Sequence, residues 1–184
     1  NGVCMSRDIT AYYWFKEAFS KEEIKKVYEL AKEYPEQEAT TFGAEDDYRR
    51  SKIRWMGFDD KTEWIYQKLV SCMGEANDAE FGFDWNGATE AIQFTTYESG
   101  DKGHYDWHMD IGDVNQNRKI SAVVLLNDNY DGGKLHIDGK DLDETVGAGN
   151  VIIFPSFLLH KVEEVTRGTR NSLVIWGIGE EPLK

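Results

Sequence analysis

The chain has 184 residues, 40% hydrophobic and 13% aromatic, which fits one folded domain with a substantial core and excludes a disordered or low-complexity protein. Its net charge of −13 repels free nucleic acid and anionic membranes, and no apolar run approaches the roughly 20 residues of a membrane span. Two cysteines without a CxxC spacing exclude a zinc knuckle and a disulfide framework. Cys4 and Cys72 therefore read as reduced thiols of a cytoplasmic protein, with a single Cys4–Cys72 bridge as the alternative. No charged-then-apolar leader opens the chain, and its start at Asn1 leaves room for a missing N-terminal piece. The negative charge can attract a basic protein or peptide; solubility alone is the plainer reading.

Residues 20–34 open with Ser20, carry Glu22 and Glu23 in the first turn, and set Ile24, Val27, Tyr28, Leu30 and Ala31 at helical spacing. That is an N-cap with a capping-box glutamate and an apolar stripe, so a helix is predicted. Residues 61–76 repeat the pattern with Trp64, Ile65, Leu69, Val70 and Met73. Between them, residues 49–58 form a basic and aromatic stretch expected to be a strand with loops. From residue 88 onward turns become frequent and strands short. The candidates are 91–97, 103–109, 120–126, 134–137, 151–154, 160–165 and 171–178, punctuated by Asp131-Gly132-Gly133 and Gly147-Ala148-Gly149-Asn150. Roughly seven or eight short strands with even turns indicate a sandwich or barrel. The expected fold is mainly β: a jelly roll over 88–184, supported by helices in 1–87, as one domain spanning 1–184.

His108 and Asp110 lie two apart, so one strand face can present both to a single ion. His160 follows later, after Phe154-Pro155-Ser156. Two imidazoles and one carboxylate can hold Fe(II) and leave positions open for oxygen chemistry. The pattern is duplicated, however. His104-Tyr105-Asp106 also matches, and positions 104, 106, 108 and 110 share one parity, so alternation leaves both pairs open.

The surrounding motifs resemble those of the Fe(II)- and 2-oxoglutarate-dependent dioxygenases, in particular the prolyl 4-hydroxylase-like group. The resemblance runs through Tyr97-Glu98-Ser99-Gly100 and Tyr105-Asp106-Trp107-His108-Met109-Asp110, with a spacer longer than usual. It continues through Arg118 to Asn127, Tyr130-Asp131-Gly132-Gly133-Lys134-Leu135, Gly149 to Ser156, and His160 to Arg170. Tyr105 occupies the family's aromatic place ahead of the histidine, which selects His108 and Asp110 over the earlier pair. The resemblance implies a double-stranded β-helix fold, with His108, Asp110 and His160 as metal ligands and catalytic residues. It implies Fe(II), 2-oxoglutarate and O2, and admits ascorbate as a reductant. Arg170 would anchor the distal carboxylate of 2-oxoglutarate through the bidentate contacts that guanidinium makes; Arg167 is the alternative. Tyr97 and Tyr105 would donate phenolic hydrogen bonds to the same cosubstrate. Ser121 and Trp176 match pocket-lining positions by strand order, and Trp176 is equally suited to the core. His136 is expected to point away.

The implied reaction is hydroxylation of an unactivated C–H bond, most directly on a prolyl residue of a peptide or protein. A free amino acid or another small molecule is the alternative substrate. Asp110 argues against a halogenase, which needs that ligand replaced. A jelly-roll protein that binds Zn(II) in the same ligands would have no use for Arg170. An idle interaction domain would need neither Arg170 nor an intact triad. Arg49, Arg50, Lys52, Arg54 and Trp55 read either as a substrate entrance or as a half-solvated edge strand, and Asp84-Trp85-Asn86 is similarly open.

Overall fold

The computed structural model describes residues 11–39, 47–112 and 115–180. Cys4, and with it the bridged alternative, lies outside the described residues; Cys72 is a free, half-buried thiol. In chain order the elements begin with β1 (Tyr13–Phe15), α1 (Lys21–Ala31), β2 (Gln37–Glu38), β3 (Arg49–Arg50), β4 (Lys52–Met56) and α2 (Glu63–Ala76). The strand-rich part follows with β5 (Ile92–Glu98), β6 (His104–His108), β7 (Arg118–Leu125), β8 (Asp131–Gly132), β9 (Leu135–Ile137) and β10 (Lys140–Asp141). It closes with β11 (Val151–Pro155), β12 (His160–Val162), β13 (Val165–Arg167) and β14 (Thr169–Ile178).

Both predicted helices form. Ser20 Oγ accepts from the Glu23 backbone N–H at 3.2 Å, and the Glu23 carboxylate accepts from the Ser20 N–H at 2.8 Å. This reciprocal cap satisfies two of the donors a helix start leaves orphaned. Ile24, Val27 and Ala31 form the buried stripe of α1, and Ile65, Tyr66, Leu69, Met73 and Ala76 that of α2.

The strands form a seven-stranded sheet in the order β1-β11-β7-β14-β5-β4-β2 and a five-stranded sheet in the order β10-β9-β12-β6-β3, with β13 and β8 as a small ribbon. Every pairing within them is antiparallel. This is the helix-flanked jelly roll expected from the turn spacing, in the double-stranded β-helix form that the family resemblance implies. The fourteen strands among the described residues exceed the predicted number because β1, β2, β3, β8 and β10 are only two or three residues long. Their pairing is set by neighbours in space, so they carry no period of their own. The chain also crosses between sheets at buried Ser51, since β3 pairs with β6 while β4 pairs with β5.

Alternation along the large sheet decides what each face does. Ile120, Ala122 and Val124 of β7, Val151 and Ile153 of β11, and Leu173 and Ile175 of β14 share a core with both helices. Val123, Leu125, Ile152 and Phe154 turn the other way and pack with Leu135, Ile137 and Val162 of the second sheet. β7 is buried at all eight positions because both of its faces are covered. Gly149 has φ +90, and a Cβ there would stand 2.2 Å from the Phe19 carbonyl, so α1 docks only against a glycine at this turn.

Candidate metal and cosubstrate site

His108 ends β6, and His160 opens β12 directly opposite it in the register. Asp110 follows β6 at a bend, and its N–H donates to the Ser156 carbonyl at 2.9 Å. His108 Nε2 lies 3.8 Å from one Asp110 carboxylate oxygen, and His160 Nε2 lies 3.6 Å from the other. One donor atom from each of the three residues falls within 4.8 Å of the others. Donors bound to one ion at roughly 2.1 Å each lie no more than roughly 4.2 Å apart, so this set is close to a ligand triad as it stands.

The imidazoles are oriented for ligation. His108 Nδ1 is 2.7 Å from the Asp106 carbonyl, and His160 Nδ1 is 2.9 Å from the Leu158 carbonyl. A carbonyl can only accept, so each Nδ1 carries a proton, and Nε2 is the ring nitrogen turned toward Asp110. Burial, reinforced by neighbouring His160, lowers the His108 pKa to about 3, which keeps that ring neutral. Burial alone would raise the Asp110 carboxyl. His160, His108 and the Ser121 hydroxyl outweigh it and hold Asp110 well below the usual carboxylate range. Burial also pulls the His160 pKa down, but the Asp110 charge and hydrogen bond outweigh it and leave it raised. Ser121 Oγ donates to Asp110 at 2.6 Å and sits 2.9 Å from Ser156 Oγ, so the carboxylate is pinned from behind. The triad fits the two-histidine, one-carboxylate face that suits Fe(II).

The triad opens into a cavity of about 300 Å³ that Arg170, Tyr97, Tyr105 and Trp176 also line. Arg170 is 1% exposed, and its register partner on β5 is Tyr97. Its guanidinium sits 5.4 Å above the Tyr97 ring and donates one long bond, 3.3 Å, to Ser172 Oγ. Gly133 has φ +61, and a Cβ there would meet the Arg170 stem at 3.0 Å, so the Gly-Gly turn makes room for the arginine. Tyr105 stacks on His108 with ring centroids 3.5 Å apart, and burial pushes its phenol pKa to about 12, leaving it a proton donor. Trp176 faces Ser121 across the β14–β7 pairing.

Three buried side-chain nitrogens have no hydrogen-bond partner among the described residues: Arg49 Nη2, Arg170 Nε and Trp176 Nε1. All three residues line this cavity. Buried polar groups in folded proteins are nearly always satisfied, so a concentration of orphan donors marks a ligand site.

The other candidates separate cleanly. His104 bonds to the Lys102 and Asp47 carbonyls, outside the cavity. His136 pairs with Glu163, and Arg167 pairs with Asp131 at the surface. The basic-aromatic stretch splits: Arg49 and Trp55 line the cavity, whereas Arg50 pairs with Asp47, Lys52 with Glu98 and Arg54 with Glu36. Trp85 of the second open stretch packs against the helix-side core. Sequence reasoning missed Arg118, which it read only as the opening of a strand. Its guanidinium forks onto Glu90, donates to the Asp110 carbonyl at 3.1 Å and lies 3.6 Å above the Trp176 ring. The available signal was a pair of cations, Arg118 and Lys119, opening a largely apolar run.

Residues 92–177 match the family described as the 2OG-Fe(II) oxygenase superfamily. A PKHD-type hydroxylase of Hyphomonas neptunium is 39% identical over 95 residues, which cover 46% of this chain and 41% of that protein. The chain thus matches less than half the length of this curated relative. A Pseudomonas putida prolyl-4-hydroxylase is similar in structure with a TM-score of 0.72, at 20% identity, over 91% of this chain and 92% of that one. A Trichoplax adhaerens prolyl hydroxylase, solved with a hypoxia inducible factor oxygen degradation domain peptide fragment, also gives a TM-score of 0.72. It shares 18% identity over 92% of this chain and 84% of its own. At these identities the structural likeness establishes the fold.

Proposed function

We propose that this chain, a prolyl 4-hydroxylase-like member of the 2OG-Fe(II) oxygenase superfamily through residues 92–177, hydroxylates an unactivated C–H bond of a prolyl residue in a peptide or protein. One arrangement carries the proposal. A triad of two imidazoles and an ionised carboxylate opens into the same cavity as a buried arginine that has no ion pair among the described residues. A protein that merely binds a metal would have no use for that arginine. The Trichoplax protein's peptide-bound state supports a peptide or protein as the partner.

His108, Asp110 and His160 would hold Fe(II). When bound, the metal with 2-oxoglutarate and O2 supplies the oxidising power that yields succinate, carbon dioxide and a hydroxylated carbon. The chain's own residues do the rest by position and charge. Ser121 keeps the Asp110 carboxylate turned toward the two imidazoles, and Arg118 fixes the same residue through its backbone carbonyl. Arg170 would bind the distal carboxylate of 2-oxoglutarate, with the Tyr97 and Tyr105 phenols as further donors. Trp176, braced by Arg118, forms a cavity wall and offers its indole N–H.

Two measurements test the proposal. Succinate formation from 2-oxoglutarate with Fe(II) tests the oxygenase; absence of both 2-oxoglutarate binding and turnover removes it. Mass spectrometry of proline-containing peptides and free amino acids for a product one oxygen heavier tests the substrate. Oxidation of a non-prolyl probe alone would replace the prolyl assignment and keep the oxygenase.

A further inference from the structure

Arg49 has no role in the reading above, and its surroundings are unusual for this chain. Acidic residues outnumber basic ones, 34 to 21, so a cation here has many possible partners. Of the arginines among the described residues, Arg50, Arg54, Arg118 and Arg167 each make a salt bridge. Arg49 and Arg170 make none among the described residues, and each keeps a buried guanidinium nitrogen without a partner. Both line the cavity that holds the triad. Arg49 is held in place: Nε donates to Ser51 Oγ at 2.8 Å, and the guanidinium lies 4.4 Å above the Tyr105 ring, which in turn stacks on His108. One edge is therefore tied, one face is covered by an aromatic ring, and Nη2 is left over.

Charge balance says what that leftover edge meets. With the proposed metal and cosubstrate in place, the dication, Asp110, the two carboxylates of 2-oxoglutarate and Arg170 cancel. Arg118 and Glu90 cancel as a pair. Of the charged side chains among the described residues that line the cavity, Arg49 alone stays uncancelled. A neutral carbonyl would leave the charge of half-buried Arg49 unbalanced at its buried Nη2, whereas a carboxylate balances it and accepts from the guanidinium edge. We propose that Arg49 binds a carboxylate of the substrate itself, so that the oxidised carbon belongs to a carboxylate-bearing molecule. That carboxylate comes from a chain terminus, a free amino acid or an aspartyl or glutamyl neighbour. The proposal rests on the oxygenase reading and narrows its substrate. Arg49 lies outside the matched segment 92–177, so this is a property of the chain's own front half.

The test uses the whole chain loaded with Mn(II) and 2-oxoglutarate without oxygen, and calorimetric titration with matched probes. N-acetylproline is compared with N-acetylprolinamide, a blocked peptide with aspartate beside proline with its asparagine counterpart, and N-acetylvaline with its amide. Carboxylate members are expected to bind about 10- to 100-fold more tightly. In Arg49→Met the ratio should fall to within about twofold, and Arg49→Lys should restore part of it, while 2-oxoglutarate affinity changes less than about twofold. The first two pairs separate a terminal carboxylate from a side-chain one. Equal binding within all wild-type pairs, a preference that survives Arg49→Met, or loss of 2-oxoglutarate in place of the probe each overturns the proposal. If Arg49→Met does not fold, the wild-type ratios and Arg49→Lys still decide. Arg49-dependent preference shown by the valine pair alone would remove the prolyl reading and keep Arg49. Prolyl oxidation indifferent to the carboxylate would do the reverse.

Discussion

The two faces of the large sheet are made from the same strands by the same alternation, yet they end differently. Toward the helices, Ile120, Val124, Ile153, Leu173 and Ile175 meet Ile65, Leu69 and Met73, and every partner comes from within the chain. Toward the second sheet, the face begins as core at Val123, Ile152 and Phe154. It then opens at Gln93, Tyr97, Ser121, Arg170, Ser172 and Trp176, where Arg170 Nε and Trp176 Nε1 have no partner among the described residues. A buried charge without a partner lowers stability, so on the proposed function the second face serves a ligand at the fold's expense. Substitutions on the helix face should therefore lower stability and spare binding; those on the cavity face should do the opposite.

The sharpest break in that comparison is His108→Ala. It is expected to abolish metal binding and turnover, a loss of roughly a thousandfold or more, while His104→Ala keeps much of both. Metal content after dialysis and the rate of succinate formation read it. The opposite ranking would move the site to His104 and Asp106.

That choice also shows what the sequence made legible. The helices announced themselves through Ser20, Glu23 and their apolar stripes, because caps and periods are local. Strand parity left the two His-x-Asp pairs equal. What separates them physically is the aromatic stack of Tyr105 on His108 and the pairing of His108 with His160, both products of the folded sheet. Arg118 escaped notice because its role depends on Glu90 and Trp176, distant in sequence and adjacent only once β7 and β14 pair. The stretch around Arg49 could be read two ways because it is two things: β3 belongs to one sheet and β4 to the other.

On the helix face, Leu69→Ala empties a fully buried site between α2 and the sheet. The expected loss is about 2–5 kcal/mol in urea unfolding, with 2-oxoglutarate affinity of the folded protein unchanged. A matching loss of affinity would mean that the two faces are coupled.

Arg170→Met reverses the signs. It should raise the Kd for 2-oxoglutarate about 10- to 100-fold by removing a charge-assisted bidentate contact. The ligand-free protein should become no less stable, because a buried guanidinium with no ion pair among the described residues is replaced by an apolar chain. A fall in the ligand-free Tm comparable to that of Leu69→Ala would mean that Arg170 holds the fold and that the cavity face is ordinary core.

The smallest effects lie at the start of α1, where the helix face is anchored. Ser20→Ala removes one side of the reciprocal cap and should lower stability by about 1 kcal/mol, and Ser20→Gly by only a few tenths. Glu23→Gln keeps an acceptor for the Ser20 N–H but loses the charge that pairs with Lys68 at 2.6 Å. Lys68, then the Ser20 N–H, holds the Glu23 pKa below its ordinary value of 4.5. A carboxyl with a lowered folded pKa stabilises above its unfolded pKa, and that stabilisation disappears as pH falls through the folded one. Wild type should therefore exceed Glu23→Gln in urea midpoint at neutral pH, and the gap should close below about pH 4.5 as Glu23 protonates. A gap that persists in acid would show that the glutamate acts through its shape at the cap, with the ion pair to Lys68 adding nothing. Neither variant touches the cavity, so both should leave 2-oxoglutarate affinity where it was.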